Sequence, residues 1–145
     1  MFGRKRKVKK SKVLFVDDDS IVLLSIVRGL QDQPYDILTA GSCTEALEIL
    51  KQRKVHVIVT DMCMPEMNGL ELLRTIREEH PDIVGMVLTG YLQDPELRTA
   101  LENGEVFKLI PKPWQLGGKF ERLITQALIR YSSQIEGKHY QTVEK

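Results

Sequence analysis

Polar residues able to handle phosphate or metal stand in this chain at the ends of short apolar runs. Lys12 to Val16 closes on Asp17, Asp18 and Asp19, and Val55 to Thr60 closes on Asp61. Ile83 to Leu88 closes on Thr89, and the run ending at Ile110 is followed by Lys112. Hard carboxylate oxygens with few nitrogen or sulfur neighbours suit Mg²⁺, with Mn²⁺ able to stand in, and such an ion keeps several waters and an open place for phosphate. Gathered together, the carboxylates would repel one another by roughly 3 kcal/mol for a pair about 5 Å apart at an effective dielectric near 20. Lys112 can neutralise one of them, so a further cation must sit among the rest. A metal beside a free aspartate oxygen, a hydroxyl and a lysine is an arrangement for phosphoryl transfer. The metal and the lysine take up charge developing on the transferring group, and the aspartate attacks in line.

Each of these residues also has a plainer explanation. Asp17 to Asp19 precede a helix, and Asp19 or Ser20 is expected to cap it. Asp61 could serve a turn, Thr89 a strand end, and Lys112 a surface ion pair worth little. Their joint placement, at the same end of alternate elements between positions 17 and 112, is what favours a site.

The elements that must position them alternate. From Lys12 onward, β-branched runs alternate five times with segments of helical period, the pattern of βαβ units and a mostly parallel sheet. The strands are read at Lys12 to Val16, Tyr35 to Ala40, Val55 to Thr60, Ile83 to Thr89 and Glu105 to Ile110. Several are apolar almost throughout, as strands covered on both faces should be. Ser42 with Glu45 makes a candidate capping box for the second helix. Asp94 and Pro95 start the fourth, and Asn103 and Gly104 stop it. Leu70, Leu73 and Ile76 stripe the third helix, and Phe120, Leu123, Ile124, Ala127, Leu128 and Tyr131 the last. Gly117 and Gly118 would each cost roughly 1 kcal/mol inside a helix, so that last helix is expected to begin near Lys119. The fold implied is α/β, a doubly wound five-stranded parallel sheet in the order 2-1-3-4-5 with five helices, flavodoxin-like. In such a sheet, binding groups collect beyond the carboxyl ends of the strands, where strand order reverses.

At 145 residues and 42% hydrophobic content, the chain can bury one core. It divides into a basic arm over 1–11, a folded domain over 12–131 and a polar stretch over 132–145 read as a tail or the start of a linker. The net charge of +1 hides an asymmetry. Arg4, Lys5, Arg6, Lys7, Lys9, Lys10 and Lys12 supply +7 before any acid, leaving −6 on the remainder. Such an arm attracts polyanions through counterion release but carries no aromatic to specify one. A solvated tail is the preferred reading, with nucleic acid assigned to no other part of the chain. No apolar run approaches the roughly 18 residues that span a bilayer, so no membrane partner is expected and a cytoplasmic location is. Cys43 and Cys63 lack metal-ligand spacing and read as reduced thiols. His56, His80 and His139 show no metal spacing either, and none can be placed at the rim. Met62, Met64 and Met67 read as a flexible apolar loop beside the site, with Met64 the one expected to be buried.

With those residues assembled, the chain resembles response-regulator receiver domains of two-component signal transduction, the CheY-like superfamily, over about Lys12 to Tyr131. The matching segments are LFVDDDS, VIVTDMCMPEMNGLELL, VLTGY and LIPKPW, the most specific being Asp61 with Pro65 four and Gly69 eight positions on. The resemblance implies that Asp61 accepts a phosphoryl group from a phosphohistidine on a sensor histidine kinase or phosphotransfer protein. It further implies that Asp17, Asp18, Asp61 and the backbone carbonyl of Cys63 hold Mg²⁺, that Thr89 turns to the phosphorylated side chain, and that Lys112, before a cis proline, pairs with a phosphoryl oxygen. It implies a switching surface of fourth helix, fifth strand and fifth helix, an output domain or target protein, and receiver dimers. The only catalysis implied is of the chain's own phosphorylation and dephosphorylation.

The chain departs from that pattern at Leu109, where an aromatic residue is common three positions before the lysine. Phe107, two residues earlier and so expected on the same strand face, is the candidate substitute. The resemblance implies that Tyr91 and Cys63, each two residues beyond a site residue, occupy positions flanking the path of a hydrolytic water, and Tyr91 is expected to shield the acyl phosphate. Two rival readings differ in class. A receiver-fold interaction module that is never phosphorylated would have no use for the intact set of Asp17, Asp18, Asp61, Thr89 and Lys112. A phosphohydrolase of the haloacid dehalogenase type would use Asp17 and Asp19 as its DxD pair, but would leave Asp61 idle, and Ile21 replaces its usual Thr or Val.

Overall fold

The computed structural model describes residues 10–113, 115 and 118–143, with side chains described through Gly137. Five strands, β1 (Lys12–Val16), β2 (Asp36–Ala40), β3 (Val57–Asp61), β4 (Val84–Thr89) and β5 (Lys108–Pro111), alternate with five helices, α1 (Ser20–Leu30), α2 (Cys43–Gln52), α3 (Gly69–Glu79), α4 (Pro95–Glu102) and α5 (Lys119–Val143). All strand pairs are parallel and the order is β2-β1-β3-β4-β5, the doubly wound sheet the alternation implies. The central strand β3 is buried at every residue, whereas edge strand β5 is mostly exposed or half-buried.

Alternation along the strands sorts the core onto two faces. Val13 and Phe15 join Val57, Val59, Met86 and Leu88 under α1 and α5, where Ile26, Leu30, Phe120 and Ile124 meet them. Leu14, Val16, Ile58 and Val87 turn the other way, toward Ala46, Leu70, Leu73 and Leu97 of α2, α3 and α4. Gly85 lies on that second face, and a Cβ there would meet Leu73 at 2.8 Å, so α3 packs almost onto the backbone of β4.

Helix starts follow the local chemistry with two adjustments. Asp19 caps α1, accepting from the N–H groups of Ile21 (2.9 Å) and Val22 (3.4 Å). Asp94 caps α4 ahead of Pro95, and Gly104 (φ +85°) follows its C-cap Asn103. Ser42 Oγ accepts from Glu45 N–H, but Glu45 Oε1 turns back to the N–H of Gly41 at 2.7 Å instead of closing a box on Ser42. The reciprocal box is at α3, between Asn68 and Glu71. Helix α5 begins at Lys119, directly after Gly118 (φ +109°); Gly117 and Trp114 lie outside the described residues, as does the basic arm through Lys9.

Two differences have physical reasons. β5 starts at Lys108 rather than Glu105, because the Val106 N–H bonds back to the Ala100 carbonyl at 3.2 Å and the Glu105 side chain is held by Arg74 and Asn103. Phe107 therefore precedes the strand, and it packs on the α1 and α5 side while Leu109 packs on the other. The two do not share a face, so Phe107 does not replace the missing aromatic; its ring instead carries Arg130, with 5.1 Å from the guanidinium to its centroid. The polar stretch after Tyr131 is helical through Val143. Gln134 Nε2 donates to the carbonyl of Asp82 at 3.0 Å, tying that extension to the loop before β4.

Candidate functional site

Strand order reverses between β1 and β3: β1 leads by α1 to β2 on one side, and β3 leads by α3 to β4 on the other. The crevice beyond their carboxyl ends is where an open α/β sheet takes ligands. β3 ends on Asp61 itself, and β1 is followed at once by Asp17 and Asp18. Ligand oxygens of Asp17, Asp18 and Asp61 all lie within 4.8 Å of one another. Asp17 and Asp61 are 6% and 5% exposed, so water screens their mutual repulsion poorly.

Lys112 comes in from beyond β5, after a backbone bond from its N–H to the carbonyl of Thr89 (2.9 Å), and its ammonium meets Asp61 Oδ1. That ion pair is the one polar partner of this buried oxygen among the described residues. The Lys112–Pro113 peptide bond is cis. Burial alone would lower the Lys112 ammonium, but the hydrogen bond to Asp61 and the nearby negative charges outweigh it and hold the group above its ordinary value. Burial pushes the Asp17 carboxyl up; the N–H of Asp19 on its Oδ1 (2.9 Å) opposes this and Asp61 adds to it. One ammonium facing a cluster of carboxylates leaves net negative charge in a low-dielectric crevice, a donor set of hard oxygens that fits a small divalent cation. Asp17, Asp18, Asp19, Val22, Asp61, Leu88, Lys112 and Pro113 line the open hollow there. Another hollow, at the amino-terminal ends of β4 and β5 and lined by Arg77, His80, Glu105 and Arg130 among others, includes none of these residues.

Thr89 is 4% exposed at the end of β4. Its Oγ1 accepts from the N–H of Tyr91 (3.0 Å) and lies 3.4 Å from the Tyr91 carbonyl, to which it can donate. The hydroxyl is thus committed to its own loop rather than to Asp61. Tyr91 is 59% exposed beside a groove shared with Asp18, Cys63, Met64 and Thr89.

Sequence reasoning missed what holds the loop after Asp61. A Cβ at Gly69 would fall 2.4 Å from the Asp61 carbonyl oxygen, so glycine is what lets α3 start against the end of β3. The Glu66 carboxylate reaches across to α2, taking the Thr44 hydroxyl (2.6 Å) and the Thr44 N–H (3.4 Å). Those bonds, the hydroxyl first, hold its pKa below the usual carboxylate value. An anion at a helix N-terminus is the available signal, but the 22-residue separation hides it from local inspection. Cys43 Sγ, buried, contacts the Met67 carbonyl at 3.6 Å. Met62, Met64 and Met67 are all half-buried, so Met64 is not set apart, and Cys63 is exposed. Neither cysteine is in a disulfide. His56 lies at the amino-terminal end of the central strand β3, away from the rim, its Nδ1 accepting from Lys12 N–H at 3.0 Å and its ring edge-on to Tyr131. His80 caps the C-terminus of α3, and the His139 side chain is outside the described residues. No described helix is long and apolar enough to cross a membrane.

The response regulator receiver domain model matches residues 13–124. The sensor kinase CckA of Brucella abortus is 37% identical over 123 residues, which cover 79% of this chain and 13% of that protein. The hydrogenase transcriptional regulatory protein HoxA of Cupriavidus necator is 34% identical over 73% of this chain and 22% of its own length. The chain therefore spans less than a quarter of either relative. Among solved structures, the beryllofluoride-activated NtrC4 receiver domain dimer is 28% identical with a TM-score of 0.74, covering 83% of this chain and 98% of that one.

Proposed function

Because the chain belongs to the response regulator receiver family, we propose that it is a phosphoacceptor switch of a two-component phosphorelay, with Asp61 as acceptor. The observation that carries this reading is the meeting of Asp17, Asp18 and Asp61 within 4.8 Å, with Lys112 seated on Asp61. A carboxylate oxygen of Asp61 attacks the phosphorus of a phosphohistidine on a sensor histidine kinase or phosphotransfer protein. The new O–P bond forms as the P–N bond breaks, and the departing imidazole takes up a proton. Lys112, already raised in pKa and so charged, exchanges its bond to the carboxylate for one to a phosphoryl oxygen. Asp17, Asp18, Asp61 and the carbonyl of Cys63 would hold Mg²⁺, which supplies charge neutralisation on the phosphoryl oxygens. Thr89 leaves Tyr91 for the phosphorylated side chain, and the loop it held carries the change into α4, β5 and α5. In this reading residues 12–131 form the receiver, 1–11 an arm and 132–145 a connection to an output domain or target. The domain is a switch and not an enzyme toward other molecules, its catalysis being confined to its own phosphorylation and dephosphorylation.

The test uses the protein with Mg²⁺ and either a labelled phosphohistidine donor or beryllofluoride. The expected result is acid-stable, base-labile label on the wild type, none on Asp61→Asn, and shifts of the Thr89 to Tyr91 amides with beryllofluoride. Label that survives Asp61→Asn, or a wild type indifferent to every phosphodonor, removes the reading; the second result would leave an interaction module.

A further inference from the structure

Arg74, on the face of α3 that looks toward α4, makes a connection the phosphorylation chemistry does not use. Its Nε and Nη2 bind the two carboxylate oxygens of Glu105 at 2.7 and 3.3 Å, and its Nη1 binds Glu96 Oε2 at 3.1 Å. Glu96 lies in the first turn of α4 and Glu105 in the loop behind its last turn, so one guanidinium spans both ends of that helix. Arg77, one turn further along α3, donates to the Gly104 carbonyl at 3.2 Å and fixes the rear loop a second time. The front of α4 has no such duplicate among the described contacts.

The rest of α4 is lightly held. It buries Leu97 and Ala100, where α3 buries Gly69, Leu70, Leu72, Leu73 and Ile76. With so little apolar contact, an exposed ion pair at the first turn adds measurably to what sets the helix in place. The segment just ahead of that turn is Gly90 to Asp94, whose Tyr91 holds the Thr89 hydroxyl. Moving Thr89 off Tyr91 displaces this segment and pulls on the turn that carries Glu96.

We propose that Arg74 is a brake on the switch: by gripping Glu96 it holds α4 in the position where Thr89 is bonded to its own loop, and so raises the ligand needed to turn the domain on. This rests on the phosphoacceptor reading. Loss of the grip leaves the acceptor chemistry intact and makes the change of state easier, since a ligand shifts an equilibrium only against the free energy separating the two states.

The experiment compares half-saturating beryllofluoride, at fixed saturating Mg²⁺, for the full chain and for Glu96→Gln and Glu96→Asp, read at the Tyr91 amide. Glu96 is exposed and both variants are expected to fold; the aspartate keeps the charge but is too short to reach Arg74. Both variants are expected to lower half-saturation roughly two- to fivefold, the size of a surface ion pair. The advantage should shrink at about 1 M salt, where the Debye length falls to about 3 Å. If Glu96→Gln lowers half-saturation and Glu96→Asp does not, the effect is field on the anion and the brake is refuted. Unchanged or weakened binding in both variants refutes it as well. A wild type that ignores beryllofluoride sinks the phosphoacceptor reading itself, and the brake with it.

Discussion

Two loops leave the same rim of the sheet and are built to opposite standards. The loop after Asp61, residues 62–68, is fastened along its length: Gly69 N–H to the Met62 carbonyl (2.8 Å), Glu66 to Thr44, Cys43 to Met67, and Asn68 into the capping box of α3. The loop after Thr89, residues 90–94, is held by the pair of contacts between Thr89 and Tyr91, by Asp94 N–H on the Tyr91 carbonyl at 3.3 Å, and by Asp94 as cap of α4. An acceptor and its metal ligands need fixed geometry, because displacements of about 1 Å cost rate heavily. A switch needs a segment whose alternatives differ by little free energy. In the proposed function, the two loops divide these requirements between them.

The largest effect expected to expose the difference comes from one substitution made twice. At Gly69 an added Cβ meets the Asp61 carbonyl oxygen at 2.4 Å and Thr60 Cγ2 at 3.0 Å; at Gly90 it meets nothing within 4 Å. Gly69→Ala must push α3 away from β3, and is expected to cost about 3 kcal/mol in urea unfolding. Gly90→Ala is expected to stay within about 0.5 kcal/mol of the parent. Equal costs at the two positions would erase the contrast.

A smaller effect separates the loops by pH. Thr44 holds the Glu66 carboxyl below its ordinary value of 4.5. The contribution of that bond is therefore complete above about 4.5 and is lost as pH falls through the lower folded-state value. Amide exchange at Thr44 and across residues 62–68 should quicken in that acid range, and Glu66→Gln should remove the dependence. If the Thr44 amide titrates no differently in Glu66→Gln, the latch is not what holds the loop.

Most of this architecture could be read from residue order. Strands buried on both faces announce themselves as unbroken apolar runs, and their polar ends, Asp17, Asp61, Thr89 and Lys112, mark the rim because parallel strands put like ends together. Asp94–Pro95 and Asn103–Gly104 bracket α4 correctly because caps act within a few residues. What escaped reading depends on partners distant in sequence. Glu66 finds Thr44 and Arg74 finds Glu105 only where helices dock, and Phe107 takes the opposite face from Leu109 where the chain turns in from α4, with the Val106 N–H bonded back to the Ala100 carbonyl. The helical run past Tyr131 was hidden for a related reason. Its period fades, yet Gln134 and the Tyr131 contact with His56 anchor it to the amino-terminal ends of β3 and β4.

The smallest expected effect on stability is at Tyr91, and that smallness is the point of the measurement. The contacts that hold the loop after Thr89 use the Tyr91 backbone, while its ring is 59% exposed at the groove shared with Cys63 and Met64. Tyr91→Ala therefore keeps the loop's bonds, and its unfolding free energy is expected within about 0.5 kcal/mol of the parent. Removing the ring widens the groove beside Asp18 and Thr89, so the acyl phosphate of the proposed function is expected to be lost several-fold faster. A large loss of stability would mean that the ring supports the loop after all. An unchanged rate of dephosphorylation would mean that it shields nothing, and the light build of this loop would then have to be explained by switching alone.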